Sequence, residues 1–173
     1  VSAYASCVSA GKCKAPGGSG DSEYCNGSSK GSHPRNCVSW QDALDYCSYE
    51  GKQLPTESQW EYAARGGSKQ WTYSWGNSGP TSSNACYDRW ESKEGTCAVR
   101  SFAAGAFGLY DMAGNVWEWT ADWYAAYPST VSKNHTGPTS GSNRVYRGGG
   151  WIFDSPSYLR GANRFNITPD YRN

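Results

Sequence analysis

The sequence predicts an α+β domain with little regular structure: two short helices and short antiparallel strands, joined by long loops and stabilised by disulfides. Three observations predict it. The firmest helix signals are capping residues at Ser39 and Thr56, whereas strand-like alternation is confined to short pieces. The chain carries 21 glycines and 15% aromatic residues, which no disordered polar tract would hold despite a low mean hydropathy. Seven cysteines, at 7, 13, 25, 37, 47, 86 and 97, contain no Cys-x-x-Cys pair. At 173 residues this is one domain, long enough to bury a core, and that core is expected to be built of rings rather than aliphatic layers.

Val1 to Ser9 reads as the tail of a helix that Gly11 stops. Residues 15–36 form a polar loop flanked by cysteines. Ser39 caps the next helix with Asp42 as its third residue; Ala43, Leu44 and Cys47 share one face, and Gly51 ends it. Pro55 keeps Leu54 extended. Thr56 and Gln59 then form a capping box for a helix that buries Trp60, Ala63 and Ala64 and stops at Gly66-Gly67. Trp71 to Ser101 breaks into short pieces, with a turn at Trp75-Gly76-Asn77. After a loop from Pro128 to Asn143, Arg144 to Arg147 alternates as a strand and runs into Gly148-Gly149-Gly150, where positive φ or close backbone approach is expected.

Gly108 to Trp119 is the densest stretch, with Leu109, Tyr110, Met112, Trp117 and Trp119 around Asp111 and Glu118. Leu109, Trp117 and Trp119 are expected to build core. Carboxylates lodged among them need hydrogen bonds, arginine partners such as Arg147, or a cation to offset desolvation. Asp42, Asp45, Glu57 and Glu61 fall on the predicted helices, where solvated surface or capping is the expected role.

Several classes are excluded. A net charge of +1 without a basic run argues against nucleic acid, and no stretch of about 18 apolar residues spans a membrane. Two histidines and no Cys-x-x-Cys leave no zinc site, and Gly-x-Ser-x-Gly, phosphate-loop and His-Glu-x-x-His motifs are missing. The cysteines fit disulfides in an oxidising, extracytoplasmic setting: secreted, periplasmic or cell surface. Cys86 and Cys97 close one loop, while Cys7, Cys13, Cys25 and Cys37 allow two bridges in three pairings. Cys47 is then a buried, inert thiol. Asn26-Gly27-Ser28, Asn134-His135-Thr136 and Asn166-Ile167-Thr168 fit the glycosylation sequon.

Several long motifs point to a family. Val38-Ser39-Trp40, Leu54-Pro55-Thr56-Glu57, Trp60 to Gly67, Gly108 to Trp119, Asp122-Trp123-Tyr124 and Arg144 to Trp151 with Leu159-Arg160 and Arg164 run in order through nearly the whole chain. Together they resemble the formylglycine-generating enzyme (sulfatase-modifying factor) family. The resemblance implies a C-type-lectin-like α+β fold over residues 1–173, lacking the outermost N- and C-terminal strands of relatives. The family's oxidases hold copper with two cysteines shortly after the Arg-Gly-Gly motif, because copper(I) wants soft thiolates. Trp151 to Tyr158 has no cysteine, and the last cysteine of the chain is Cys97, so no copper is expected. The resemblance also implies calcium at Asp111, Gly114, Val116 and Glu118, two carboxylates and two carbonyls being ligands calcium accepts. A second family site retains only Asn84 and is left out.

Within Trp151 to Tyr171, the positions held by Ile152, Phe153, Asp154, Tyr158, Phe165, Ile167 and Tyr171 are largely polar in relatives. With Trp151 they read as a ligand-binding face; the alternative is core packing. The pattern is also similar to the variable proteins of diversity-generating retroelements, whose adenine-directed mutation of asparagine codons yields such residues. The sequence therefore suggests a non-catalytic binding module for a protein or glycan partner. The alternatives are a formylglycine-generating-type oxidase or maturation factor acting on a protein substrate, or a subunit of an extracellular assembly.

Overall fold

The computed structural model describes residues 1–17, 24–130, 134–153 and 155–172. Three helices come first: α1 (Ser2–Ser9), α2 (Trp40–Tyr49) and α3 (Glu57–Ala64). Strands β1 (Glu118–Trp123), β2 (Arg144–Arg147) and β3 (Phe165–Ile167) follow and pair antiparallel in that order. Both capping boxes form. Ser39 Oγ accepts the Asp42 N–H at 3.2 Å while Asp42 Oδ2 accepts the Ser39 N–H at 2.8 Å. Thr56 and Gln59 exchange the same pair of bonds at 3.2 and 2.9 Å. A third acceptor comes from the sheet, where Asp122 Oδ2 takes the Glu57 N–H at 2.6 Å, so the first turn of α3 is bound to β1. Helix α1 lies against α2 through Tyr4 and Tyr46, 5.6 Å between ring centroids.

The sheet is polar on its inner face and aromatic on its outer one. Its register sets Trp119 opposite Tyr146 and Tyr146 opposite Phe165, one row of three rings across the strands. The intervening residues Glu118, Asp122 and Arg147 point the other way, onto α3. Arg147, 0% exposed, donates to Glu61 Oε2 at 2.5 Å and lies 3.6 Å from Glu57 Oε1. Arg164 grips Glu57 with two bonds at 2.8 and 2.5 Å. Glu57 and Glu61 are therefore not solvated surface: they neutralise two arginines between helix and sheet, and each charge needs the others to offset its desolvation. Asp42 is likewise buried and pairs with Arg172 at 2.6 Å.

The apolar core is small and split. Trp60, Ala64 and Met112 form one cluster, Tyr73, Ala85, Ala113 and Leu159 a second, and Tyr4, Cys7 and Cys13 a third. Leu109 is 45% exposed, and Trp117 and Trp119 are only half-buried, so the three residues expected to build core lie outside it. Covalent links supplement these clusters: Cys7–Cys13, Cys25–Cys37 and Cys86–Cys97 are disulfides. The last two close loops with sequence separations of 12 and 11, each worth about 3 kcal/mol in a chain-entropy model. Glycine is required at Gly149 (φ 76°), where a Cβ would lie 2.9 Å from the Tyr158 carbonyl.

Candidate functional site

The segment 114–118 separates two cavities. Gly114 adopts φ 80° and packs so closely on Cys86 that a Cβ would lie 2.5 Å from its carbonyl oxygen. Asn115, itself left-handed at φ 65°, turns its side chain inward to the Cys97 backbone, accepting at 3.1 Å and donating at 3.3 Å. Asp111, Val116 and Glu118 line one cavity of about 340 Å³ with Arg100, Leu109 and Tyr110. Gly114 does not line it. Among the described residues, no backbone N–H reaches the carbonyl oxygen of Gly114 or Val116.

The two carboxylates are only partly satisfied. Asp111 Oδ2 accepts the Arg100 N–H at 2.7 Å, and Glu118 Oε2 accepts Trp60 Nε1 at 2.5 Å. Neither pairs with Arg147, which α3 occupies. Burial pushes the Glu118 carboxyl up to about 7; the Trp60 N–H opposes the shift and the Asp111 charge adds to it. The two carboxylates line one cavity with Val116, and the unbonded carbonyls of Gly114 and Val116 lie in the same short segment; hard oxygens of this kind are what calcium accepts. No group of three or more His, Cys, Asp or Glu side chains suited to a metal occurs among the described residues, so any cation here would depend on those carbonyls.

The second cavity, about 190 Å³, opens on the outer face of the sheet and shares Asn115 and Val116 with the first. Trp117, which lines it with Tyr146 and Phe153, is the hub of a ring cluster: Tyr146 lies at 4.5 Å, Phe165, outside the lining, at 5.1 Å and Phe153 at 5.8 Å. Tyr158 joins Phe153 at 4.6 Å and Phe165 at 5.8 Å. Of the residues expected to form a ligand face, Phe153, Tyr158 and Phe165 thus meet in one cluster, and Ile152 and Tyr171 line the cavity beside it. Trp151 also lines the cavity but is buried, its N–H held by the Asn115 carbonyl at 2.9 Å. Ile167 sits opposite Arg144 in the sheet, outside the cavity lining. Asp154 lies outside the described residues. Tyr24, Arg35, Trp117, Trp119 and Tyr146 were not anticipated as part of this face. The legible signal was the alternation of tryptophan with acidic or hydroxyl residues from Trp117 to Thr120.

Other candidates separate by burial. Cys47 is half-buried rather than sealed in the core, and burial raises its thiol above the ordinary range, which makes it a poor nucleophile. Asn26 is 2% exposed and bonded through Nδ2 to the Pro34 carbonyl at 2.8 Å and Thr96 Oγ1 at 3.0 Å. Asn166 Oδ1 accepts from Asn143 at 2.6 Å, which leaves Asn134 as the exposed sequon asparagine.

An irregular α+β frame of capped helices and a small antiparallel sheet, carrying its site on loops, is the architecture of formylglycine-generating-enzyme-type domains. The chain belongs to that family: the Sulfatase-modifying factor enzyme 1-like domain matches residues 1–173. It is 39% identical to the formylglycine-generating enzyme of Mus musculus over 156 residues, 82% of this chain and 42% of the relative. It is 41% identical to the inactive C-alpha-formylglycine-generating enzyme 2 of Bos taurus over 150 residues, 77% of this chain and 44% of the relative. The chain thus spans less than half the length of these two relatives. Among solved structures it superposes on Treponema denticola variable protein 1 with a TM-score of 0.71 at 27% identity, covering 92% of this chain and 72% of that one.

Proposed function

We propose that this domain is a non-catalytic, extracytoplasmic ligand-binding module that recognises a protein or glycan partner through the outer face of its sheet, with calcium held behind that face. The observation that carries the reading is the inverted sheet: its charged residues Glu118, Asp122 and Arg147 are directed onto α3, while Trp117, Tyr146 and Phe153 line an open cavity and Tyr158 and Phe165 pack against those rings. Aromatic groups placed there supply contact area at small entropic cost. Similarity to a variable protein and to a relative named inactive supports the reading, as do three disulfides, which suit an oxidising compartment. No helix among the described residues is long and apolar enough to cross a membrane. Calcium would be held by the Asp111 and Glu118 carboxylates and the Gly114 and Val116 carbonyls.

The test is an array of extracellular proteins and glycans screened with the wild type and with Phe153→Ala and Phe165→Ala. A specific signal lost in both variants, at unchanged melting temperature, is expected; absence of any signal, or signals indifferent to both substitutions, would overturn the reading. Similarity to formylglycine-generating enzymes favours a second reading, an oxidase or maturation factor. It is opposed by the cysteine-free segment 151–158 and by the pairing of six of the seven cysteines. Formylglycine product from a cysteine-containing sulfatase-type peptide incubated with copper would establish the oxidase instead. A near-copy of the coding segment for residues 151–171 beside a reverse transcriptase gene would make this a diversified binding protein.

A further inference from the structure

We infer that the outer face of the sheet carries a second subsite, the cavity beside Arg144, which takes the carboxylate of an acidic side chain of a partner protein. This rests on the proposed binding role and commits it to a peptide rather than a glycan. Position in the sheet is the first argument. Arg144 stands opposite Trp123 on one side and Ile167 on the other, in the row next to Trp119, Tyr146 and Phe165. It is two residues from Tyr146 on β2, so its side chain leaves the same face about 7 Å away. Glu118, Asp122 and Arg147 turn to α3, which leaves Arg144 as the charged strand residue of the outer face.

Availability of the guanidinium is the second. Its carbon lies 3.6 Å from the Trp40 ring centroid and 3.5 Å from that of Trp123; two rings so close cannot share a side, so both faces are covered and the group is held in place before any ligand arrives. Nη1 donates to the Ala121 carbonyl at 2.6 Å, and Nε is sealed from solvent without a partner. Nη2 is the one nitrogen neither bonded nor sealed. Among the described residues Arg144 makes no ion pair, whereas Arg147, Arg164 and Arg172 each have a carboxylate. Burial lowers its pKa from the ordinary value, and Asp122 only partly opposes the shift. A carboxylate at Nη2 would offset that desolvation. The cavity is the third argument. It measures about 320 Å³, and Trp40, Trp123 and Arg144 line it with Ser39 and Gln41 at the start of α2, where the helix dipole is positive. Arg172, paired with Asp42, and the exposed Asp170 complete its charged lining. An extended peptide repeats its side chains at the interval that separates the two rows, so a segment with an apolar residue two positions from an acidic one reaches both cavities.

The test uses three small probes on the intact domain, with the Trp123 indole N–H resonance, assigned through Trp123→Phe, as the reporter. The peptide acetyl-Phe-Ser-Asp-amide is expected to shift that resonance saturably, with a dissociation constant of about 1 mM. Acetyl-Phe-Ser-Asn-amide, the same shape without the charge, is expected to bind about tenfold more weakly, and glucuronate, the carboxylate of a sugar, more weakly than the acidic peptide. Arg144→Gln should bring the two peptides to equal affinity while Arg144→Lys keeps a preference for the acid. Asp170→Asn leaves Arg144 untouched and removes the one acidic residue that lines the cavity, so it should widen the preference about twofold and keeps the inference testable if Arg144→Gln does not fold. Equal affinities of the two peptides in the wild type, tighter binding of glucuronate, a preference that narrows in Asp170→Asn, or no response of Trp123 to any probe would each overturn the inference. The binding role of the face is judged separately by the array: glycan signals alone, or a partner lost in Phe153→Ala but kept by Arg144→Gln, would sink this inference and leave that role standing.

Discussion

Glu118→Gln removes one charge from the proposed calcium clasp but still offers Trp60 Nε1 an acceptor, replacing the bond now 2.5 Å long. Asp111→Asn does the same for the Arg100 N–H, held at 2.7 Å. Each variant therefore separates cation binding from the hydrogen bonds around it. Calcium sites of extracellular modules have dissociation constants of about 10⁻⁴–10⁻³ M. At 10 mM calcium, binding to the folded state alone stabilises it by about 1.4–2.7 kcal/mol. For a domain of this size that raises the melting temperature by about 3–11 °C. Scanning calorimetry in 10 mM calcium and in chelator measures the increment directly. The wild type should show it, and both variants should lose it while melting close to the wild type in chelator. Equal losses with and without calcium would mean that the carboxylates hold the fold through hydrogen bonds alone, and a wild type indifferent to calcium would remove the clasp altogether.

In chelator the pH dependence should run against the usual acid denaturation for this one group. The folded-state value of Glu118, raised to about 7, lies above its ordinary value of 4.5, so its contribution is full below about pH 4.5 and is lost as pH rises through 7. The chelated wild type should thus lose stability between pH 5 and 8, more steeply than Glu118→Gln in urea titrations; parallel slopes would show that the carboxyl is not perturbed. Arg147→Met leaves Glu57 and Glu61 without the arginine that is 0% exposed between them, and should cost about 3–5 kcal/mol in the same titrations. Lys52→Ala, at an exposed pair 4.0 Å apart, should cost less than about 1 kcal/mol, and similar values for the two would refute the network. Alkylation in denaturant should add one adduct before reduction and seven after, as three disulfides and one free thiol require; any other count revises the pairing.

Local chemistry made much of the frame legible. Ser39 and Thr56 with their third-position partners define α2 and α3 within a few residues, because a capping box is satisfied inside four consecutive positions. The alternation of Arg144 to Arg147 gave β2, and the short spacing of Cys86 and Cys97 gave their bridge. The pairings of Cys7 with Cys13 and Cys25 with Cys37 stayed open until the fold brought each pair within 5.3 and 5.6 Å between Cα atoms. Strand β3 escaped notice because three residues are too few for a period, and it exists only as the partner of β2.

The sequence by itself determined the family, the capped helices and the absence of a cysteine after the Arg-Gly-Gly motif, but it did not mark Glu118–Trp123 as a strand with two faces. Which side faces inward was decided by tertiary structure. A period of two distinguishes two faces of a strand but does not say which one a helix will cover. The usual guess buries the tryptophans. Here α3 brings Glu57 and Glu61 to Arg147 and Arg164 across separations of 86 and 107 residues, and that neutralisation lets the charged face go inside. The rings are left outside around a cavity, where they form the candidate binding face.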